Sequence, residues 1–251
     1  MPRRGRTTPP PITPIEKWSK FADRVALLLP TAAGLLSDWG FLWTVKEVLD
    51  GDERPFPGGA YHKNAARRLL TPLCVSCVLK VWILLFDDYR ESISLKKIAE
   101  AVREKDEKDF NLLVRSKATM HLKNQSLEEV FSGLTECARS LKEFEKLFSD
   151  NRHSFCAHVL QRTSGKQTTL VDLPMLAKVV PKAIHLIELL GALFDLPPMS
   201  LDNILNTQCL TAATLFGLQE VARTPERLFQ NRRLPFAQLE SIATGILRGD
   251  K

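Results

Sequence analysis

Apolar residues recur at helical spacing through almost the whole of this 251-residue chain, and no stretch shows sustained alternation of apolar and polar residues. Alternation is the pattern of a half-buried strand, whereas apolar residues three or four positions apart form one face of a helix. Trp39 and Trp43 are four apart, and Leu95, Ile98 and Val102 follow the same spacing. The sequence therefore predicts an all-α fold.

The predicted helices cover residues 15–29, 32–49, 61–86, 95–104, 126–148, 151–160 and 172–194, with two or three shorter ones within 200–248. Pro30 is predicted to end the first helix, and Pro181 to kink or divide the helix in which it lies. Ser94 and Asp172 are predicted N-caps, and Ser126 with Glu129 fits a capping box.

Polar and Gly/Pro-rich stretches mark the connections between these helices. Residues 50–59 are dense in Gly, Pro and acidic residues, and residues 161–169 are mostly polar, so both are predicted loops. Residues 104–109 are almost all charged, which indicates a solvated helix face or a turn.

The chain divides into three predicted parts. Residues 1–14 hold three arginines and five prolines with no apolar run, which predicts a disordered basic tail. Residues 15–196 are predicted to form the helical bundle, and residues 197–251 a C-terminal helical extension. This length is enough for one sizeable core.

Charge and cysteine content restrict the class of protein without identifying it. The 35 Lys and Arg residues against 29 Asp and Glu give a net charge of +6, which permits an anionic partner without demanding one. Five cysteines in a chain this long do not indicate a disulfide-stapled secreted scaffold. A reducing intracellular compartment is the expected location.

No segment is predicted to direct the chain to a membrane. Residues 69–86 are the most apolar stretch, but Pro72 interrupts them and Lys80 charges them, so a buried core helix is expected there. Arg3 and Arg4 resemble the start of an export signal, but no apolar region with a small-residue cleavage site follows.

Several motifs that often carry chemistry are expected to be structural here. Cys74 and Cys77 form a C-x-x-C pair without the βαβ context of a redox site or a second ligand pair for zinc, so core thiols are expected. His62, His121 and His185 have no ligand companions at metal spacing and are expected to be surface or satisfied core histidines. No phosphate-binding loop or hydrolase elbow is present in the sequence, and no metal or cofactor is predicted.

Residues 150–158 hold the densest polar chemistry, with Arg152, His153 and His158 as the candidate site residues. RNA cleavage without a metal needs a group that titrates near neutrality and a permanent cation. A histidine can move the proton of the ribose 2′-hydroxyl or of the leaving oxygen, and an arginine can hold the phosphate. Because the chain has many arginines and five histidines, this spacing by itself also arises by chance.

Helix geometry leaves three arrangements of this cluster open. Six residues advance a helix by about 600°, which leaves Arg152 and His158 about 120° apart around the axis. Either Arg152 lies in a loosened helix start, or two chains bring their clusters together across a two-fold axis. Alternatively, Asp150 or Asn151 caps the helix and Arg152 simply faces solvent.

The string from Arg152 through His153 and Ala157 to His158 resembles the motif of the HEPN superfamily, and of its AbiU-type abortive-infection branch in particular. That motif is Arg, then Asp, Asn or His, then three variable residues, Ala and His, and it lies near the start of a helix in an all-α bundle. The flanks are also similar: residues 85–87 (Leu-Phe-Asp) with 92–95 (Ser-Ile-Ser-Leu) precede it, and 169–173 (Thr-Leu-Val-Asp-Leu) follow it. The resemblance covers about residues 39–194.

The resemblance implies a HEPN-type helical bundle with additional N- and C-terminal helices, and a metal-independent endoribonuclease that works as a homodimer with one composite cleft. It implies that Arg152 binds the scissile phosphate, that His158 is the general acid and base, and that His153 assists by hydrogen bonding. It also implies products with 2′,3′-cyclic phosphate and 5′-hydroxyl ends.

The implied setting is a bacterial cytoplasm, in antiphage defence or a toxin–antitoxin pair, with RNA as the substrate and an antitoxin or defence-system protein as a further partner. Non-catalytic members of the superfamily leave a second hypothesis open, in which the chain is a helical module that binds RNA or another protein without cutting RNA.

Overall fold

The computed structural model describes residues 12–50, 59–87, 93–104, 107–122, 126–157, 173–198 and 201–215, with residues 152–157 described by their backbone alone. The elements in this part of the chain are helical and include no strand: α1 (Pro14–Asp50), α2 (Gly59–Val81), a π-helical turn (Trp82–Phe86), α3 (Leu95–Arg103), α4 (Lys108–His121), α5 (Leu127–Leu141), a 3₁₀ turn (Lys142–Phe144), α6 (Glu145–Ala157), α7 (Leu173–Leu193) and α8 (Leu201–Leu215). The predicted all-α class is confirmed.

Helix α1 starts with a capping box that the sequence prediction missed. The backbone N–H of Thr13 donates to a Glu16 carboxylate oxygen over 2.8 Å, and the Glu16 N–H donates to the Thr13 hydroxyl oxygen over 3.3 Å. Pro14 occupies the first helical position, where its missing N–H leaves no hydrogen bond unmade. The sequence Thr-Pro-Ile-Glu therefore starts the helix inside the segment that we assigned to the tail.

Pro30 does not end α1, which continues to Asp50 over 37 residues. Proline removes one backbone hydrogen bond from a helix interior, a local cost that tertiary burial can exceed. Leu28 and Ala32, on either side of Pro30, are both buried in the core. The prediction of two helices within residues 15–49 was wrong for this reason.

Helix α7 lies at the centre of the bundle and packs against α1, α2, α3, α4 and α5. Buried residues extend along most of its length, and Pro181 is one of them. The helix is continuous past Pro181, so the predicted division does not occur. The predicted Asp172 cap lies outside the described residues.

Two of the predicted helix starts are confirmed. The Ser94 hydroxyl accepts a hydrogen bond from the Lys97 N–H at 3.4 Å, at the start of α3. At the start of α5, the Ser126 N–H donates to the Glu129 carboxylate over 3.3 Å, as part of a capping box. Both signals are local in sequence, which makes them readable without knowledge of the fold.

The end of the α5 segment differs from the prediction. We expected one helix through residue 148 and a new one from residue 151, but α5 ends at Leu141 and α6 begins at Glu145. The 3₁₀ turn between them contains neither Gly nor Pro. The turn buries the Phe144 ring, and this packing accompanies the break between α5 and α6. The local sequence does not predict that break.

Helix α8 packs on α1 at a close approach centred on Gly40. A methyl group at position 40 would lie 2.9 Å from Leu205 Cδ1 and 3.3 Å from the Leu205 carbonyl oxygen. The Cys209 thiol donates to the Gly40 carbonyl over 3.5 Å. The first helix of the predicted C-terminal extension is therefore joined to the bundle by side-chain packing.

Two helical segments are long and apolar enough to cross a membrane by length and composition, one at residues 14–46 and one at 63–86. Inside the protein, 44% of the first and 39% of the second apolar window are buried. Core helices of water-soluble proteins pass the same test, and the second segment begins six residues before the apolar stretch 69–86 in which a core helix is expected.

Candidate functional site

Helix α6 carries the first part of the predicted site. It runs from Glu145 to Ala157, so the backbone at Arg152 and His153 is helical. The side chains of these two residues, and the whole of His158, lie outside the described part of the structure. The structure therefore describes the backbone of the helix that carries Arg152 and His153 and the contacts of that helix up to Asn151.

Asn151 removes the loosened helix start and the capping role from the arrangements that the sequence left open, whereas the exposure of the Arg152 side chain lies outside the described residues. It lies in the interior of α6, is fully buried, and donates from its side-chain amide to the Leu147 carbonyl over 2.8 Å. Since α6 begins six residues earlier, at Glu145, neither Asp150 nor Asn151 caps a helix start. For the same reason Arg152 lies neither in a loosened first turn nor near the start of its helix, where the resemblance implies the motif.

The buried face of α6 is anchored by aromatic packing. Phe148 is fully buried, and its ring centroid lies 5.8 Å from that of Phe86 in the π-helical turn. Consecutive apolar residues of that turn, from Leu84 to Phe86, are all buried. The Asp87 N–H donates to the Trp82 carbonyl over 2.9 Å, which closes the π-helical turn. Because this turn is wider than an α-helical turn, adjacent side chains lie in the same core.

A charged contact holds the start of α6 to α3. The Lys96 ammonium forms an ion pair with Glu145, the first residue of α6, and lies 6.0 Å from the centroid of the Phe86 ring. Lys96 is 8% exposed, so its charge is largely removed from solvent and needs this partner. The aromatic and ionic contacts together fix the helix on which Arg152 and His153 lie.

Two of the flanking stretches that carry the family resemblance lie next to α6. Leu85 and Phe86 belong to the π-helical turn that contacts α6, and Ser94 caps the helix from which Lys96 reaches Glu145. The third stretch, at residues 169–173, lies outside the described residues except for Leu173, the first residue of α7.

Part of the chain's positive charge is already engaged with protein groups. Lys17 contacts the rings of Phe21 and Phe110 at 5.7 and 5.0 Å, and Arg115 contacts the Phe131 ring at 4.2 Å while pairing with Glu128 at 2.8 Å. Such contacts stabilise the bundle and occupy these cations. These basic residues therefore have structural roles in the bundle.

Both cysteines of the C-x-x-C pair lie in α2 as thiols. Cys77 is buried, and burial, followed by the nearby Asp38 carboxylate, raises its pKa well above the usual range of a thiol. Since the thiolate is the reactive form, Cys77 is poorly suited to redox or metal chemistry. The prediction of a core thiol is confirmed for this residue.

Among the other histidines, His121 is satisfied within the protein, with its Nε2 2.7 Å from the Ala192 carbonyl oxygen. His185 lies 3.8 Å from the Glu188 carboxylate on the same helix and is 45% exposed. The side chain of His62 lies outside the described residues. In the described part of the chain, no group of three His, Cys, Asp or Glu residues is arranged to hold a metal ion.

A polar cluster between α1 and α2 was not predicted. The Lys80 ammonium lies 2.6 Å from Asp38 Oδ2 and donates to the Gly34 carbonyl over 3.1 Å, while the Ser76 hydroxyl donates to the same Asp38 oxygen. A sequence signal for it exists, because Asp38 and Lys80 are isolated charges in long apolar stretches.

No protein-family model, curated protein or solved structure matches this chain.

Proposed function

We propose that this chain is a metal-independent endoribonuclease of the HEPN type. The observation that carries the proposal is the sequence motif formed by Arg152, His153, Ala157 and His158. The packing of Phe86 against Phe148 adds support, because it joins a second stretch of the resemblance to the motif helix.

The proposed reaction is attack by the ribose 2′-hydroxyl on the adjacent phosphorus. The 2′-oxygen forms a bond to phosphorus as its proton passes to a base, and the bond from phosphorus to the 5′-oxygen breaks as that oxygen receives a proton. His158 is the proposed acid and base, since imidazole titrates near neutrality. The products are a 2′,3′-cyclic phosphate and a 5′-hydroxyl.

Arg152 is proposed to bind the scissile phosphate. A guanidinium keeps its charge at every physiological pH and donates two parallel hydrogen bonds to phosphate oxygens, which favours the charge that builds up in the transition state. His153 is proposed to assist by hydrogen bonding to the phosphate or by orienting the substrate. The mechanism assigns no role to a metal ion or cofactor.

A homodimer is part of the proposal. Positions six residues apart on a helix are separated by about 120° around its axis. Since Arg152 is placed well inside α6, a loosened helix start cannot reduce that separation. A two-fold arrangement that joins Arg152 of one chain to His158 of the other solves the geometric problem with identical subunits.

The proposed setting is antiphage defence by abortive infection, or a toxin–antitoxin pair, in a bacterial cytoplasm. An enzyme that cuts cellular RNA needs a partner that restrains it, so an antitoxin or another defence-system protein is the proposed second partner. The three arginines at positions 3, 4 and 6 are proposed to add only sequence-independent attraction to phosphates.

The test is cleavage of a labelled RNA by purified protein in EDTA. Arg152→Ala and His158→Ala are expected to reduce cleavage by at least about a hundredfold, the scale of losing a phosphate ligand or a general acid and base. Arg139→Ala and His185→Ala, which change an exposed residue of α5 and a half-buried residue of α7, are the matched controls and are expected to cleave like wild type.

Two results would count against the enzyme. A requirement for added Mg²⁺ or Zn²⁺ would contradict the metal-free mechanism. If wild type leaves RNA intact but binds it, and both site variants bind equally well, the non-catalytic helical module becomes the better description. Circular dichroism of each variant separates loss of chemistry from loss of fold.

A further inference from the structure

The longest stretch of this sequence without an acidic residue is at positions 54–86, which include the whole of α2. The described cations of α2 are Lys63, Arg67, Arg68 and Lys80. Lys80, near the end of the helix, is paired with a carboxylate of α1 at 2.6 Å. The other three lie within residues 63–68, so one end of α2 concentrates positive charge that no acidic residue of the same helix offsets.

These three cations are accessible and have no counterion among the described groups. Arg67 and Arg68 are exposed, and Lys63 is partly exposed. None of them forms an ion pair with a carboxylate in the described part of the chain. Residues 47, 50, 52 and 53 are acidic and precede α2, but their side chains are not among the described ones. An anionic partner can therefore reach these cations without displacing a described carboxylate.

An aromatic ring lies beside these cations. Tyr61 is 89% exposed, the largest exposed fraction among the large apolar side chains that the structure describes. Tyr61 and Arg68 are seven positions apart, and Asn64 lies between them at helical spacing from both, so the three share one face of α2. Arg67 is the next residue around the helix, about 100° from Arg68.

The other side of this part of α2 packs against α1. Ala66 is fully buried in a small cluster with Val45 of α1. Positions two apart on a helix are separated by about 200° around its axis, so Arg68 lies on the side away from α1. Tyr61 is separated from Ala66 by about 140° in the same way. The ring and the guanidinium therefore face outward from the bundle together.

We propose that Tyr61, Lys63, Asn64, Arg67 and Arg68 form a surface that binds single-stranded RNA, which we call the α2 surface. Guanidinium groups donate paired hydrogen bonds to phosphate oxygens, and an exposed aromatic ring stacks on a base. Seven residues of helix extend about 10 Å, which corresponds to roughly three nucleotides of a stacked strand at about 3.4 Å each.

The exposed ring favours a single strand over a duplex. In a duplex each base is already stacked and paired, so Tyr61 finds no free base face there, whereas the bases of a single strand can be splayed out onto a ring. Cations alone would not make this distinction, because both forms of RNA carry the same phosphates.

This inference rests on the proposed function for its choice of RNA as the polyanion. It adds the strand form of the substrate and a second region of contact, outside Arg152, His153 and His158. The α2 surface lies on α2, whereas the motif begins on α6, so binding and cleavage report on the two proposals separately.

The test measures the affinity of purified protein for a labelled 2′-O-methyl oligouridine by fluorescence anisotropy over a range of salt concentrations. Methylation removes the attacking hydroxyl, so binding is measured without cleavage. Arg67→Gln/Arg68→Gln is expected to weaken binding by at least about tenfold at low salt. It is also expected to reduce the slope of log K against log salt by about 1.4, the value for two lost phosphate contacts on a single strand. The matched control is Lys97→Gln/Lys108→Gln, which removes two exposed lysines of α3 and α4 and is expected to bind like wild type.

The role of the ring is measured separately. Tyr61→Ala is expected to weaken binding of the oligouridine by about fivefold to a hundredfold without changing the salt slope, because it removes stacking and leaves the charges in place. Tyr61→Phe keeps the ring and is expected to bind like wild type. A duplex of the same oligouridine with 2′-O-methyl oligoadenosine is expected to bind wild type and Tyr61→Ala equally.

Equal affinity of wild type and Arg67→Gln/Arg68→Gln for the oligouridine, or an unchanged salt slope, would overturn the proposal. So would a Tyr61→Ala variant that loses as much affinity for the duplex as for the single strand. Binding of wild type to phosphatidylglycerol vesicles but not to the oligouridine would also overturn it, because the anionic partner would then be a lipid. If the arginine variant loses helical circular dichroism, Arg68→Gln alone is measured, with an expected slope change of about 0.7.

The two proposals fail in different ways. A protein that binds the oligouridine through the α2 surface but leaves ordinary RNA intact retains the surface and contradicts the ribonuclease. A protein that cuts RNA in EDTA while Tyr61→Ala and the arginine variant bind like wild type retains the ribonuclease and contradicts the surface.

Discussion

The ring of Phe148 in α6 packs against the ring of Phe86 in the π-helical turn, with centroids 5.8 Å apart and planes inclined by 41°. This contact joins two stretches that lie more than sixty positions apart in the chain. One leads directly into the proposed ribonuclease motif, and the other belongs to the flank that shares the family resemblance. The motif helix is therefore positioned by the part of the core that the resemblance also marks.

Replacing Phe148 is expected to destabilise the fold and the motif helix together. Phe148→Ala removes a fully buried ring, and the loss of burial with the resulting cavity is expected to reduce the free energy of unfolding by about 3–5 kcal/mol. Urea denaturation monitored by circular dichroism measures this change. Phe148→Leu keeps most of the buried volume and is expected to cost less. Equal stability of wild type and Phe148→Ala would show that the ring does not anchor α6.

Two glycines are expected to respond in opposite directions to the same substitution. Gly40→Ala places a methyl group 2.9 Å from Leu205 Cδ1 and 3.3 Å from the Leu205 carbonyl, so α8 must shift, and unfolding is expected to become easier by about 1 kcal/mol. At Gly191 nothing lies within 4 Å of an added methyl.

Gly191→Ala is therefore expected to stabilise the protein by about 0.5–1 kcal/mol, because alanine loses less backbone freedom in a helix. Denaturant titration of both variants gives the comparison. A loss of stability for Gly191→Ala, or a gain for Gly40→Ala, would contradict the packing described for α7 and α8.

The buried thiols are expected to resist alkylation in the native protein. Burial raises the pKa of Cys137 to about 12, from an ordinary value near 9. The thiolate fraction at pH 8 is then about a thousandfold smaller, so iodoacetamide is expected to modify Cys137 more slowly by about that factor. Mass spectrometry of native and urea-unfolded protein measures the two rates. Similar rates in both states would show that the thiol is accessible and ionises normally.

The same shift predicts a stability change at high pH. A group whose pKa is higher in the folded than in the unfolded state stabilises the fold below the unfolded value. That contribution of Cys137 is present below pH 9 and is lost as the pH rises from 9 to 12. Urea titrations at pH 8 and pH 10.5 measure it, with Cys137→Ala as the control that removes this titration. A pH dependence unchanged by the substitution would exclude the thiol as its source.

Helix starts that depend on residues close together in the chain could be predicted from the sequence. Ser94 and the pair Ser126 and Glu129 start their helices as predicted, because a cap is satisfied within one helical turn. The capping box of Thr13 and Glu16 also lies within one helical turn and could have been predicted from the sequence in the same way.

Features that depend on contacts between residues far apart in the chain could not be predicted from the sequence. Continuation of α1 through Pro30 depends on tertiary burial of its neighbours, and the break before Glu145 accompanies burial of Phe144. Asn151 has the residue type of a helix cap but is buried in mid-helix. The candidate motif residues could be named from the sequence, whereas the proposed meeting of Arg152 and His158 across two chains is a relationship between molecules that no spacing within one chain specifies.

The proposed site needs Arg152 of one chain and His158 of its partner, and mixing two inactive variants shows whether the two residues act on different chains. Arg152→Ala and His158→Ala proteins are each unfolded, mixed in equal amounts and refolded, so that about half of the dimers contain one chain of each kind. Every mixed dimer retains one intact Arg152 and one intact His158 on different chains.

RNA cleavage in EDTA is then compared with each variant refolded alone and with refolded wild type. We expect both variants to be inactive alone and the mixture to recover a substantial fraction of wild-type activity, with products ending in 2′,3′-cyclic phosphate. A mixture as inactive as its components, alongside an active refolded wild type and demonstrated mixed dimers, would contradict a site shared between two chains.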